Sequence, residues 1–483
     1  MSISDKQDTT WGTRLFSDGT MSPSVCGTAI GLCIMELTEC RNAKYADNME
    51  KIGNNMLFNS KGTYHDFIMS VQNTVDVYKK TFTNNNAEKA KPAFMLFGTA
   101  KSSGACIEMT CWVARALYVI RRTKDFKKVV SSLIMMYCKY REYLTGKLRS
   151  QYKNNTYVMC FLLDIFTAYI HYCSPSKECV TEAMNSSVAI NEIQKRVKQN
   201  IDGCNVYDVI TICVEIYQTI MDGCIATGKD GSVNINCWGK RLMLSKSESE
   251  GTKDNAGDNS GIEFLTEPSL YNGTIAHTSL ALIACKDFFS ELMLLLGTDE
   301  TRSFFSDSYD INGRIPLIRR WLLNKYKEDN NFPNCNEYIV SHNVLCNKDG
   351  ELEFCDIKHN SEGDNCDERN KCDKDFDLLE ERHFSHYTVA LMLRALIYCN
   401  LTIDDNPIAE LVEQLYTDLD INSGLWSEDG TPQGVRYIYR TYEAIVAINT
   451  LAFDSLSIPM HKYAKKNGIN FDGASLNEKE SED

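Results

Sequence analysis

Apolar residues recur along the chain at helical spacing. Ile30, Cys33, Ile34 and Leu37 follow the i, i+3, i+4, i+7 pattern, as do Val113, Ala116, Leu117 and Ile120, and later Val389, Met392, Leu393 and Leu396. Alternation with period two is scarce. The best strand candidate, EYIVSHNVLC from Glu337, stands isolated. The longest apolar runs, such as YVMCFLLDIFTAYI from Tyr157, are interrupted by charge, too short for a bilayer, and read as buried helices. Only 9 prolines in 483 residues agree with long unbroken helices, so the expected fold class is all-α.

Several predicted helices begin alike. The segments start at Ser22, Ser103, Asn272, Arg382 and Gly434, and each places a threonine near the helix start: Thr28, Thr110, Thr278, Thr388 and Thr441. Such a threonine can satisfy orphan backbone donors, and five in the same setting indicate a repeated unit. The first and last units also share a tryptophan and an Asp-Gly turn, Trp11 with Asp18-Gly19 and Trp426 with Asp429-Gly430. A third fragment carries Asp230-Gly231 and Trp238 in reverse order. The threonine spacing is uneven, so further helix pairs are expected around residues 55–80, 128–171 and 188–221.

A tryptophan and Asp-Gly turn followed by (S/P)xxxxTxxALxAL resembles the repeat of α/α toroids, the fold of terpenoid cyclases and protein prenyltransferase β-subunits. The resemblance implies outer and inner helices alternating around a closed ring of about six pairs, the inner helices starting at the end that bears a central cavity. It spans residues 1–456 as one toroid-like domain. Three stretches interrupt it: a polar low-complexity loop at 244–262, an irregular acidic, Cys-rich insertion at 330–380, and a polar tail at 457–483 expected to be disordered.

Composition changes the picture in two places. Asp and Glu total 65 against 51 Lys and Arg, a net charge of -14, which argues against a general nucleic-acid or anionic-membrane surface. Much of the excess lies between Glu351 and Arg382, where twelve acids face five bases, a surface suited to a basic protein partner. The chain also holds 20 cysteines. No signal-peptide pattern is seen, so a cytoplasmic setting with reduced thiols is expected, and most cysteines sit in apolar helices as small core residues. Those of the insertion are the exception: Cys355, His359, Cys366 and Cys372 are candidates for a structural Zn site, although no CxxC pair is present.

The remaining candidates concern the cavity. The prenyltransferase resemblance implies a catalytic Zn held by an Asp-x-Cys and a later His; the matching residues are Asp222, Cys224 and His277, although here the Asp-x-Cys ends a predicted helix where the family's opens one. The DxDD and DDxxD acids of terpenoid cyclases are absent, as are GxxxxGK[ST], HExxH and GxSxG. His277, His383, His386, Arg436, Tyr439 and Arg440 fall at helix starts, where a toroid would turn them toward an anionic or aromatic ligand. The leading expectation is therefore a non-enzymatic recognition protein that binds a protein or small ligand, including an apolar one, at the cavity end of the ring. The alternative is an isoprenoid- or lipid-handling enzyme, Zn-dependent through Asp222, Cys224 and His277. A third reading, a carbohydrate-active (α/α)6 enzyme, requires an open cavity with two carboxylates.

Overall fold

A computed structural model describes residues 12–15, 21–23, 25–38, 51–54, 56–57, 97, 107–144, 155–186, 189–200, 203–227, 233–242, 273–328, 337–341, 382–420, 423–426 and 436–467. Strands β1 (Gly12–Leu15) and β2 (Met21–Pro23) lead into helix α1 (Val25–Leu37). Then come α2 (Ile107–Val119), α3 (Thr123–Leu144), α4 (Thr156–Cys173), α5 (Lys177–Met184), α6 (Ile190–Gln199) and α7 (Val206–Asp222). The pair β3 (Ile225–Thr227) and β4 (Val233–Ile235) precedes α8 (Ile275–Leu296), α9 (Thr298–Phe304) and α10 (Ile311–Glu328). Strands β5 (Glu337–Ser341) and β6 (Arg382–His386) precede α11 (Thr388–Tyr398) and α12 (Asn406–Thr417). The short strands β7 (Leu419–Asp420), β8 (Leu425–Trp426) and β9 (Arg436–Tyr437) lead to α13 (Ile438–Asn467). The protein is all-α, its described strands being short antiparallel pairs and one three-stranded sheet ordered β2-β1-β9.

Six of the helices pack in a cycle. α1 lies against α2, α2 against α4, α4 against α8, α8 against α11, α11 against α13, and α13 against α1. The last contact is tied by Asn449 Nδ2, which donates to the Leu37 carbonyl at 3.3 Å, and β1 pairs with β9 just before α13 begins. Side-chain partners show how neighbours are directed. Glu108 meets Tyr157, Trp112 meets Phe161 and Arg115 meets Asp164, each pair 49 residues apart. A constant offset between two helices means parallel axes; antiparallel neighbours would keep a constant sum instead. Outside the cycle, α3 packs on α2 and α4, α7 on α4 and α8, α10 on α8, and α12 on α11.

The recurring threonine sets the register of the cycle. It is the fourth residue of α1 (VCGT), α2 (IEMT), α8 (IAHT) and α13 (IYRT), and the first residue of α4 and α11. Thr28, Thr110, Thr156, Thr278, Thr388 and Thr441 are all buried. Three of them clamp the aromatic residue of an incoming segment. The backbone N–H groups of Phe97, Trp238 and Trp426 donate to Thr110, Thr278 and Thr441 Oγ1 at 3.1, 3.0 and 3.3 Å. The Trp238 indole donates to the Ile220 carbonyl of α7 at 2.7 Å, and the Trp426 indole to the Leu415 carbonyl of α12 at 2.8 Å. Both carbonyls belong to the third residue from the helix end, where acceptors have no intrahelical donor. Each tryptophan thereby joins the end of one helix, α7 or α12, to the start of a helix of the cycle, α8 or α13. Crossing of the Trp238 segment with the entry to α8 leaves no room at Gly273, where a Cβ would lie 2.6 Å from Cys237 Sγ.

Several expectations need correction. The strand at Glu337 is not isolated: β5 pairs in register with β6, Val340 opposite His383 and Glu337 opposite His386. His383, His386 and Arg436 accordingly stand in strands rather than at helix starts, because the alternating Arg382–His386 segment fits a pleat and the helices open only at Thr388 and Ile438. Helix α13 extends to Asn467, into the stretch expected as a polar tail from 457, and residues 468–483 lie outside the described residues. Of the expected extra pairs, 128–171 holds α3 and α4, while in 188–221 both α6 and α7 lie outside the cycle. The pair at 55–80, the loop at 244–262, the Asp-Gly turns and most of the 330–380 insertion fall outside the described residues.

Among the described residues one helix, α4, is long and apolar enough to cross a membrane, and most of it is buried against its neighbours. Among the described residues no two cysteines form a disulfide, and Cys26, Cys33, Cys111, Cys160, Cys213, Cys285 and Cys399 pack in the core.

Candidate functional site

The inner face of the cycle encloses a cavity of about 570 Å³, counting the space at its mouth. Five of the six helices line it: Trp112 and Arg115 from α2; Tyr157, Cys160, Phe161 and Asp164 from α4; Leu280, Ile283 and Ala284 from α8; Leu391 and Arg394 from α11; Tyr442 and Glu443 from α13. These residues lie within the first turns after each threonine, at positions where an apolar helix would face its neighbours. The walls are mainly aromatic and aliphatic, and the charged groups are few and specifically held.

Arg115 is the most heavily engaged. Its guanidinium pairs with Asp164, donates to the Tyr442 hydroxyl at 2.6 Å, and lies 4.9 Å from the Phe161 ring centre, 5.6 Å from Trp112 and 5.9 Å from Tyr442. Trp112 meets Phe161 and Tyr442 edge-on at 5.0 and 5.1 Å. A flat, weakly hydrated cation is well suited to such an aromatic setting. The Glu443 carboxylate accepts the Tyr387 backbone N–H at 2.8 Å, and the Tyr157 hydroxyl donates to Glu108 at 3.2 Å.

Beside Arg394 lies a second polar group between α8 and α11. The Tyr398 hydroxyl donates to Asp287 Oδ1 at 2.8 Å and is also bonded to Arg394. Burial pushes the Asp287 carboxyl above the usual carboxylate range, against the pull of Tyr398, Arg394, Arg115 and Lys286. Burial likewise raises the cavity thiol Cys160, and it pushes Cys33, which faces Arg115 from α1, up to about 12. Thiols held this way stay protonated and unreactive.

The residues singled out from the sequence lie elsewhere. His277 is fully buried in the first turn of α8, where its N–H is accepted by Thr274 Oγ1 at 3.2 Å and its Nδ1 lies 2.7 Å from the same hydroxyl. Asp222 bonds to Tyr309, and Cys224 to Arg314. Burial pushes the Cys224 thiol up to about 11, against the pull of Arg314. Among the described residues no three His, Cys, Asp or Glu side chains are grouped to hold a metal ion. Arg440 is buried with its guanidinium 5.5 Å from the Tyr387 ring centre, and Tyr439 stacks 5.2 Å from Tyr437. The cavity lining includes none of these residues. Cys355, His359, Cys366 and Cys372 fall outside the described residues.

The residues that do line the cavity carry a signal in the sequence: a charge set inside an otherwise apolar helix, as in WVARALYV, CFLLDIF and LMLRALIY. Helical periodicity treats such charges as interruptions. Here Arg115, Asp164 and Arg394 line the cavity. Comparison with protein-family models, with curated proteins and with solved structures finds no match to this chain.

Proposed function

We propose that the six-helix cycle is the inner ring of an α/α toroid, and that the protein is a recognition protein taking a small, largely apolar ligand into the ring's centre. The observation that carries this reading is the convergence of five helices on one cavity walled by Trp112, Tyr157, Phe161, Leu280 and Leu391. An apolar wall with a few fixed polar groups is the usual chemistry of small-molecule sites. The parallel threonine register supports the toroid, because it sets the first turns of the inner helices side by side. Buried free thiols suit a reducing, cytoplasmic setting.

The neutral dye Nile red tests the reading. It should bind with about one site per chain and gain fluorescence, and Ala284→Phe, which fills the cavity, should abolish binding while the fold is retained. No fluorescence gain, or a gain untouched by the substitution, would overturn it.

One observation favours a second reading, a carbohydrate-active enzyme: Asp164 and Glu443 are two carboxylates in one cavity with aromatic walls. It ranks second because Asp164 is paired with Arg115 and Glu443 holds a backbone N–H. Hydrolysis of an aryl glycoside, lost in both Asp164→Asn and Glu443→Gln, would move it first.

A further inference from the structure

We propose that the ligand of the central cavity is a small monocarboxylate with an apolar body, and that Arg394 receives its carboxylate. The inference rests on the reading of the cavity as a ligand site. Among the described residues, Arg115 and Arg394 are the two cations that line it. The Arg115 charge is met by Asp164, and its guanidinium is surrounded by three rings and the Tyr442 hydroxyl.

Arg394 is held differently. Its Nε is buried and has no hydrogen-bond partner, and among the described residues no carboxylate forms an ion pair with it. The Tyr398 hydroxyl bonds to Arg394 and lies between it and Asp287, the acid on its other side. A buried guanidinium Nε–H without an acceptor is costly unless one arrives. Nε and the adjacent Nη form a planar fork whose spacing fits a carboxylate in bidentate fashion.

The surroundings select among anions. One open fork in a mainly apolar wall supplies too few donors for a dianion. Asp164 and Glu443 line the same cavity and would repel the second charge of a phosphate more than the first. Leu391 lies one turn before Arg394 on α11, and Trp112 and Leu280 complete an apolar wall for an alkyl chain or ring. Fixed positive charge at one point of an apolar chamber is the arrangement that orients an amphipathic acid.

Calorimetric titration of the full chain with decanoate, decanol and decyl phosphate at neutral pH tests the assignment. Decanoate should bind at least about tenfold tighter than decanol, the usual worth of a hydrogen bond to a charged group, and tighter than decyl phosphate. Arg394→Gln should remove the preference for decanoate while leaving decanol affinity in place. The wild-type ratio decides the matter even if that variant folds poorly. Equal binding of decanoate and decanol overturns the carboxylate assignment and leaves the cavity reading standing. Tightest binding by decyl phosphate also overturns the assignment. Binding of none of the three, with Nile red unbound as well, overturns both.

Discussion

Trp238 and Thr278 are joined twice across 40 residues of chain. The Trp238 N–H donates to Thr278 Oγ1 at 3.0 Å, and the Thr278 hydroxyl lies 3.3 Å from the Trp238 carbonyl, which also accepts the Thr274 N–H at 3.0 Å. Trp238 and Thr278 are both fully buried. The same N–H to Oγ1 bond joins Trp426 to Thr441 and Phe97 to Thr110. At Thr110, Thr278 and Thr441 the threonine is therefore a receptor for a segment that crosses the start of its helix, and not a helix cap in the ordinary sense.

Two matched substitutions separate these roles. Thr278→Val keeps the shape but leaves the Trp238 N–H buried and unpaired, at a cost of about 1–3 kcal/mol. Thr388 is also buried, but its Oγ1 has no partner. Thr388→Val therefore removes a desolvated hydroxyl and should be neutral or slightly stabilising. Urea denaturation of both variants checks this, and equal losses would contradict the clamp.

The tryptophans predict a second asymmetry. Trp238→Phe deletes part of a fully buried ring and the bond from its indole to Ile220, so a loss of about 2–4 kcal/mol is expected. The fold accepts phenylalanine at the Phe97 position of the same motif, so the variant should still unfold in one transition. A biphasic transition would show that Trp238 holds α7 to α8 alone.

The all-α class and five of the six cycle helices were legible because apolar spacing and a recurring threonine are local signals. Thr156 opens α4, the sixth helix of the cycle, and only its distant partners mark it. Its partners are the Gly239 and Lys240 carbonyls, far along the chain. Trp238 stood in the wrong order relative to its Asp-Gly turn, yet it repeats Trp426 fully in its contacts. The order that matters is outer helix, tryptophan, threonine. The cavity was not legible, since Arg115 and Asp164 find each other only when two helices 49 residues apart lie parallel. Histidines at apparent helix starts drew attention instead, and two of them belong to strand β6.

Arg115 serves both as an ion-pair partner and as a packed plane, and the two contributions differ in size. The side chains of Arg115 and Asp164 keep 21% and 33% of their exposure, so the pair is neither surface nor core. Asp164→Asn should cost about 1–2 kcal/mol, between the values for exposed and buried pairs. Arg115→Met should cost more, because the guanidinium also covers Phe161, Trp112 and Tyr442. Equal costs in a double-mutant cycle would mean that pairing is all Arg115 contributes.

Asp287 makes the protein's stability depend on pH in a defined direction. Burial raises its folded-state pKa above the unfolded value of about 3.9. Between those two values the folded state binds more protons than the unfolded one, so stability falls as pH rises through the window. Asp287→Asn removes this slope, and its amide oxygen can still accept the Tyr398 hydroxyl. The variant should match wild type near the unfolded pKa, gain on it as pH rises, and hold a constant advantage above the folded value. Chemical denaturation across that pH series measures the difference directly. If the variant is instead the less stable protein at neutral pH, the Asp287 carboxylate is held ionised as counter-ion to Arg394, Arg115 and Lys286. In that case Arg394 has less charge to offer a ligand, and the preference for decanoate over decanol should shrink with it.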